Sequence, residues 1–189
     1  MLILRSFLFN VLFYAALIIL MIIGLPTLLA GRNAAFFVAR TWTRMSIWLL
    51  RVICRVNVEF RGVSNIPAGS SIIASKHQSL LETFALIQHG ADFTFILKRE
   101  LTLLPFFGWY LKATEQIAID RKSGRAALDE VVEKSSLALA EGRQVFIFPE
   151  GTRRPVGAEP TAATPPITPT PQAAAGGWQQ SQSNQQSSS

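Results

Sequence analysis

The sequence contains few of the side chains that build metal sites and disulfides. Its 189 residues include one cysteine, Cys54, and two histidines, His77 and His89. One cysteine cannot close an intramolecular disulfide or form a cysteine metal cluster, and two histidines disfavour a histidine-rich zinc site. We therefore expect no metal cofactor. His89, at the end of a helical pattern before Gly90, is assigned a structural role.

Acidic residues are also scarce, since 12 Asp and Glu face 18 Lys and Arg and leave a formal net charge of +6 at pH 7. A basic balance suits anionic partners such as nucleic acid or acidic lipid. The mean hydropathy of +0.29 is high for a protein that binds nucleic acid. We therefore expect an anionic membrane as the partner and no nucleic acid.

The first helical pattern, residues 7–30, is almost wholly apolar and long enough to cross a bilayer. Gly24 and Pro26 predict that this helix is kinked or ends near them. A cleavable signal peptide is the alternative, which the length of the apolar stretch and the lack of an obvious cleavage site disfavour. Whether the helix spans the bilayer or dips into one leaflet as half of a hairpin stays open.

The second helical pattern, residues 33–58, is amphipathic. Its arginines recur at spacings that place them on one face: Arg40, Arg44, Arg51 and Arg55. Aromatic and aliphatic side chains fill most of the remaining surface. A basic face beside aromatics is typical of a helix that lies on anionic lipid headgroups. The alternative is a core helix whose arginines are merely solvated.

Short apolar runs then alternate with helical patterns. Strands are predicted at residues 56–61, 72–74, 93–97, 116–119 and 144–148, with helices up to residue 88, over 101–113 and over 123–141. Pro105 and Gly108 are expected to break the second of these helices. Such alternation predicts an α/β fold, a largely parallel twisted sheet with crossover helices, preceded by the two-helix membrane anchor.

His77 follows the predicted strand 72–74, and Glu82 lies five residues further on, at the start of a helix. The carboxylate can therefore curl back, bond one ring nitrogen and leave the other free to face a substrate. This is the base and its orienting acid of a catalytic triad. The alternative is a surface ion pair or a charge effect at a helix N-terminus.

Other polar residues also follow the carboxyl ends of predicted strands. These positions are Lys98, Arg99, Arg121 and residues 150–153. Parallel strands share one carboxyl edge, where α/β folds hold their ligands. We therefore expect one base, one carboxylate and several cations in a single cleft.

The segment 148–153, Phe-Pro-Glu-Gly-Thr-Arg, completes a specific combination with the His77–Glu82 pair and with Ile119-Asp120-Arg121. Together they resemble the glycerol-phosphate acyltransferase family over residues 55–154. Lys76 and Glu82 stand where the family pattern usually has Asn and Asp. The Gly and aromatic residues often found before Arg121 in the family are missing here.

The resemblance implies a membrane-bound O-acyltransferase that acylates lysophosphatidic acid to phosphatidic acid in phospholipid biosynthesis. The acyl donor would be acyl-CoA or acyl carrier protein, with no metal or other cofactor. His77 would be the general base and Glu82 its orienting acid. The implied phosphate ligands are Arg121, Arg153 and Lys98, and the residues implied to shape the acceptor site are Glu150 and Gly151. A bacterial inner membrane is the implied location, with the catalytic domain on the cytoplasmic side.

The composition changes after Arg154, where Pro, Thr, Ala, Gln and Ser dominate and no apolar period remains. We therefore expect membrane-anchoring helices over residues 1–54, an incomplete catalytic domain over 55–154 and a disordered tail over 155–189. The resemblance implies further strands and helices after residue 154, so we expect a truncation or a frame change after Gly157. The alternative function is a non-catalytic remnant that binds anionic lipid at a membrane surface.

Overall fold

The computed structural model describes residues 2–120 and 123–150. Within them the helices are α1 (Leu2–Ile23), α2 (Arg32–Leu49), α3 (Leu81–His89), α4 (Phe107–Ala113) and α5 (Arg125–Ala140). The strands are β1 (Ser71–Ala74), β2 (Phe93–Lys98), β3 (Ile117–Ile119) and β4 (Gln144–Ile147). Shorter turns of helix occupy Leu25–Leu28, Leu50–Cys54, Val63–Asn65 and Arg99–Leu103. The alternation of strands and helices confirms the predicted α/β class.

The four strands form one sheet in the order β1-β4-β2-β3, and every neighbouring pair is parallel. Helices α3, α4 and α5 supply the crossovers, as parallel pairing requires. Ala74 of β1 lies opposite Ile147 of β4, and the Ser75 amide extends this pairing by donating to the Ile147 carbonyl at 2.9 Å. The carboxyl ends of the strands therefore lie along one edge, as predicted.

The core of the sheet is aromatic and includes a residue of the second helix. Phe93, Phe95 and Phe146 are buried in it, and so is Phe36 of α2, whose ring centroid lies 4.5 Å from that of Phe93. Helix α2 therefore packs on the sheet. The division of the chain at residue 54 stays a prediction, but the aromatic core extends into the segment assigned to the anchor.

Helices α1 and α2 pack antiparallel, since Met21 meets Ala35 and Val38 while Phe13 meets Trp42. Helix α1 ends at Ile23, where Gly24 and Pro26 predicted an end. Within the described residues, one helix segment, Ile3–Ile23, is long and apolar enough to cross a membrane, with a hydropathy of 2.5 and 17% of its window buried. Length and composition alone make this weak evidence for a membrane helix.

The expectation that all four arginines of the second helix face lipid is wrong for Arg40. Its guanidinium donates to the carbonyls of Gly90 at 2.8 Å and Ala91 at 2.6 Å. Burial, with repulsion from Arg44, lowers the pKa of Arg40 from its ordinary value. Arg40 thus ties α2 to the turn between α3 and β2, because orphan carbonyls at that turn need donors.

The predicted second helix is also shorter than expected. It ends at Leu49, continues as a π-helical turn over Leu50–Cys54 and stops at Arg55, whose φ is 58°. The predicted strand 56–61 is wrong, because that segment pairs with no strand among the described residues. Alternating polarity indicates that one face of a segment is buried. A strand also needs a neighbouring strand to pair with, and the alternation does not show whether one is present.

The helix predicted over residues 101–113 is broken by Pro105, as expected, but Gly108 lies inside α4. A Cβ built on Gly108 would lie 2.0 Å from the carbonyl oxygen of Thr102. The glycine therefore permits α4 to approach the preceding turn, Arg99–Leu103, and does not break the helix. Close packing between the two segments is the physical reason for this difference.

Candidate active site

His77 lies in the turn between β1 and α3, at the carboxyl edge of the sheet. Its Nδ1 is 3.2 Å from Oε1 of Glu82, which confirms the predicted contact. A carboxylate can only accept hydrogen bonds, so Nδ1 carries the proton in this pair. Within the described residues, Nε2 has no hydrogen-bond partner, and the His77 side chain is 18% exposed. The imidazole therefore presents a basic nitrogen to its surroundings.

Glu82 is held by the turn that precedes it. The amides of Gln78 and Ser79 both donate to Oε1, the latter at 2.6 Å, while the Ser79 hydroxyl donates to Oε2 at 2.6 Å. Burial would raise the pKa of Glu82. The hydrogen bonds from Ser79 and from the backbone amides outweigh that effect, so the pKa lies below its ordinary 4.5. Glu82 is thus kept ionised beside the imidazole.

One face of the imidazole ring contacts Phe148. The two ring centroids are 4.2 Å apart, with 27° between the ring planes, and Phe148 lies parallel to Phe95 at 6.1 Å. Phe148 directly follows β4, the strand next to β1. The histidine is therefore fixed by a carboxylate at its ring edge and by an aromatic ring on its face.

A cavity of about 600 Å³ opens beside His77. The cavity is lined by His77, Lys98 and Phe148 and by side chains from each of the helices α1, α2, α3 and α4. Apolar residues dominate the lining, including Leu17 and Leu20 of α1. A volume of this size matches typical small-molecule sites. The imidazole therefore borders a space suited to a long apolar group.

Two of the other predicted site residues, Lys98 and Glu150, lie within the described residues. Lys98, at the end of β2, is exposed and lines the cavity. Glu150 follows β4 at the same edge, and its Oε2 is buried with no hydrogen-bond partner among the described residues. Arg121, Gly151 and Arg153 lie outside the described residues. Over residues 2–120 and 123–150, no cluster of three or more His, Cys, Asp or Glu side chains could hold a metal ion.

Sequence reasoning missed Ser79 and Phe148 as parts of this site. Ser79-Leu80-Leu81-Glu82 has the Ser-x-x-Glu spacing of a helix capping box, in which the glutamate bonds back to the serine amide. That spacing could have revealed Ser79. Phe148 had no comparable signal, because its contact with His77 depends on which strands are neighbours.

A family model described as Acyltransferase matches residues 57–158, more than half of the chain. The chain belongs to this acyltransferase family. The matched range contains the His77–Glu82 pair, the cavity residues of β2 and α4, and Glu150. The resemblance noted from the motifs is confirmed.

Known relatives of this chain carry a more specific name. It is 46% identical over 121 residues to the 1-acyl-sn-glycerol-3-phosphate acyltransferase of Pseudomonas aeruginosa, covering 64% of this chain and 47% of the relative. It is 33% identical over 143 residues to a chloroplastic enzyme of that name from Arabidopsis thaliana, covering 72% of this chain and 38% of the relative. The chain thus spans less than half the length of these two relatives.

The fold is also similar to a crystal structure, that of the 1-acyl-sn-glycerophosphate (LPA) acyltransferase PlsC from Thermotoga maritima. The TM-score is 0.67 at 25% sequence identity, over 87% of this chain and 68% of the other chain. The parallel sheet with its crossover helices is therefore the family's fold.

Proposed function

We propose that this acyltransferase transfers an acyl chain from a thioester to the free hydroxyl of lysophosphatidic acid, giving phosphatidic acid. The observation that carries the proposal is that His77 lines an apolar cavity of about 600 Å³ and that its Nε2 has no hydrogen-bond partner within residues 2–120 and 123–150. The name shared by relatives from Pseudomonas aeruginosa and Arabidopsis thaliana supports the acceptor.

In the proposed reaction, Nε2 of His77 accepts the proton of the acceptor hydroxyl as its oxygen attacks the thioester carbon. A new C–O bond forms, the C–S bond breaks, and the proton passes from His77 to the departing thiolate. Glu82 holds Nδ1–H of the ring, which lies 3.2 Å away, and stabilises the imidazolium that forms between the two steps.

The cavity suits the acyl chain, because its walls are mainly apolar side chains from α1 to α4. Burial of a long hydrocarbon there removes apolar surface from water, which favours binding. The donor is acyl-CoA or acyl carrier protein, and the reaction needs no metal or other cofactor.

The acceptor phosphate requires cations near the cavity mouth. Lys98 lines the cavity and is exposed, so it can approach the phosphate from the end of β2. Arg121 and Arg153 are proposed as further phosphate ligands on the family motif alone, because guanidinium groups bind phosphate with two parallel hydrogen bonds. Glu150 and Gly151 are proposed to shape the acceptor site.

The amino-terminal helices are proposed to hold the enzyme at a membrane, on the cytoplasmic side of a bacterial inner membrane. Residues on one side of α1 contact the domain, since Phe13 packs on Phe84 and the Tyr110 hydroxyl donates to the Met21 carbonyl at 3.1 Å. Other apolar side chains of α1 are exposed, among them Phe7 and Ile18. Helix α1 therefore lies along the domain and enters one leaflet instead of leading away across the bilayer.

The test is direct acyl transfer. Purified full chain is incubated with lysophosphatidic acid and labelled acyl-CoA or acyl carrier protein, and phosphatidic acid is measured. We expect product from the wild-type chain and a rate reduced by at least about 10² in His77→Ala, as expected for a lost general base. A His77→Ala rate near that of the wild type, with an unchanged circular dichroism spectrum, would refute the role of His77.

A second candidate is a membrane-binding protein without catalysis, which the exposed apolar side chains of α1 and the exposed Arg44 and Arg51 favour. The same preparation tests it by co-sedimentation with anionic vesicles. Binding to vesicles with no phosphatidic acid from either donor would support this candidate over the enzyme.

A further inference from the structure

The segment between β2 and β3 carries an exposed apolar corner, Leu103, Leu104 and Trp109, that the proposed reaction does not use. Their exposed fractions are 78%, 48% and 50%. Single exposed apolar residues are common on protein surfaces, but a cluster marks a contact with a membrane or a partner. No charged side chain occurs between residues 101 and 111.

The local fold explains why these three side chains face outward. The turn Arg99–Leu103 is followed by Leu104 in extended backbone and by a turn at Pro105 and Phe106, and α4 then begins. The apolar residues Phe106, Phe107 and Tyr110 pack against the cluster that holds Met21 and Val38. Trp109 leans edge-on against Phe106, with ring centroids 5.2 Å apart. The inner side of α4 thus joins the core, and the corner remains exposed.

Cations surround the corner. Lys98 and Arg99 precede it, Lys112 follows it, and all three are exposed, against one exposed acid in the segment, Glu100. Arg99 also lies 3.5 Å from Glu130 of α5. Leucine and tryptophan side chains flanked by Lys and Arg are typical of segments that insert below anionic headgroups. This combination of cations and apolar side chains favours anionic lipid as the occupant. An acidic protein surface would match the cations but not the two leucines, and an uncharged surface would leave the cations unmatched.

The corner also lies beside the site. Lys98 and Leu101, which lead into the corner, line the cavity next to His77. The Tyr110 hydroxyl of α4 donates to the Met21 carbonyl of α1, so the two helices are in contact, and both carry exposed apolar side chains. A lipid surface that contacted both helices would therefore lie next to the cavity, which both helices line.

We propose that Leu103, Leu104 and Trp109 insert into the acyl layer of an anionic membrane, with Lys98, Arg99 and Lys112 at the headgroups. This corner is a membrane contact separate from α1, and it places the cavity mouth against the lipid phase from which an apolar substrate enters. The substrate part of this inference rests on the proposed function, whereas the membrane contact does not.

The first experiment measures insertion. Cys54 is the single cysteine, so Cys54→Ala provides a background for one labelled position. Leu103→Cys carries an environment-sensitive fluorophore, and Val132→Cys on α5, 65% exposed in the wild type, is the matched control. With vesicles of phosphatidylcholine and phosphatidylglycerol, we expect a blue shift and protection from aqueous iodide at position 103 and neither at 132.

Three results of the labelling experiment would overturn the proposal. The probe at position 103 could remain as open to iodide with vesicles as without them. It could be shielded equally in the absence of vesicles, which would indicate self-association. It could also be shielded no more than the probe at 132, which would indicate general adsorption.

The second experiment measures the effect on turnover. We expect Leu103→Asn with Leu104→Asn to lower kcat/KM about tenfold on lysophosphatidic acid embedded in vesicles, the equivalent of losing one partly inserted leucine. Turnover of short-chain substrates below their micellar concentration should stay within about twofold of the wild type, because loss of insertion leaves the cavity unchanged. Val132→Asn with Leu137→Asn is the control, changing two similarly exposed apolar residues of α5.

Equal loss of turnover on both kinds of substrate would overturn the role of the corner. A wild-type chain that inserts at position 103 but makes no phosphatidic acid would refute the proposed function and leave the membrane contact standing. An active wild-type chain whose position 103 stays in water would refute the membrane contact and leave the proposed function standing.

Discussion

At the scale of single residues, the candidate site depends on the orientation of Glu82. The carboxylate accepts hydrogen bonds from two backbone amides, from the Ser79 hydroxyl and from His77. Three of these four donors do not belong to the imidazole. They therefore hold the carboxylate in position whether or not it contacts the ring. Such preorganisation is what a base and its orienting acid require.

Removal of the Ser79 hydroxyl should therefore slow the proposed reaction. In Ser79→Ala, Oε2 of Glu82 loses its donor, so the carboxylate is held less firmly against Nδ1 of His77. We expect kcat/KM at pH 7 to fall about tenfold, the value of one hydrogen bond to a charged group. The fall reports the position of the carboxylate and not its charge, because the pKa of Glu82 rises only towards its ordinary 4.5 in the variant.

Ser79→Thr is the matched control for this measurement, since it retains a hydroxyl and should retain the wild-type rate. A Ser79→Ala rate equal to that of the wild type would mean that the hydroxyl does not position Glu82.

The same carboxylate should also affect acid stability. The folded-state pKa of Glu82 is lowered, so its contribution to the free energy of unfolding is complete above its ordinary 4.5 and is lost as the pH falls below that value. In Glu82→Gln this contribution is absent at every pH. We expect the difference between the urea midpoints of the wild type and the variant to be largest above pH 4.5 and to shrink as the pH falls below it, and a constant difference would contradict this assignment.

At the scale of elements, the close approach of α4 to the turn Arg99–Leu103 positions both the cavity wall and the apolar corner. Gly108 is buried at this contact, where a Cβ would lie 2.0 Å from the Thr102 oxygen and 2.6 Å from its carbonyl carbon. Backbone atoms cannot move aside as a flexible side chain can. The contact therefore tolerates glycine alone.

Gly108→Ala should accordingly destabilise the fold although alanine favours helix. We expect the free energy of unfolding to fall by about 2 kcal/mol, within the range for overpacking. Urea denaturation measures it, with Lys112→Ala as the control on the exposed side of the same helix. A more stable Gly108→Ala protein would show that helix propensity outweighs the contact.

At the scale of the whole molecule, the two edges of the sheet have different roles. The carboxyl edge carries His77, Lys98 and Glu150. At the amino edge, the buried guanidinium of Arg143 donates to the carbonyls of Phe93 and Thr114 at 3.0 Å. It also lies 3.4 Å from a carboxylate oxygen of Asp92 and 3.3 Å from one of Glu115, and both acids pair with Arg32 of α2. This cluster joins α2 to the sheet.

Loss of Arg143 should therefore weaken the whole fold. In Arg143→Leu, the carbonyls of Phe93 and Thr114 lose a buried donor and two acids lose one of their two cationic partners, so we expect the free energy of unfolding to fall by about 3 kcal/mol. Thermal unfolding measures the change. Arg61→Ala is the control, since Arg61 pairs with Glu59 in solvent and should change stability by less than about 1 kcal/mol. Similar effects of the two variants would contradict the role of the cluster.

Prediction from the sequence succeeded where the signal is local. The end of α1 at Gly24, the four strands β1 to β4 and the reach of Glu82 to His77 depend on neighbouring residues, and the structure confirms them. Prediction failed where the conformation or the contacts of a residue depend on a partner that is distant in the sequence. Arg40 bonds carbonyls 50 and 51 residues away, and residues 56–61 have no strand beside them among the described residues.

The sequence by itself determined the α/β class, the apolar first helix, the pairing of His77 with Glu82 and the family. The first three follow from periodicity, or from residues close enough along the chain to meet in any fold that forms that turn, whereas the family follows from the resemblance of the motifs at residues 77–82, 119–121 and 148–153. Only the tertiary structure decided that Phe148 stacks on the imidazole, that α1 and α2 wall the cavity, and that Leu103 and Trp109 remain outside the core. Strand order and helix packing bring these groups together, and no local pattern encodes them.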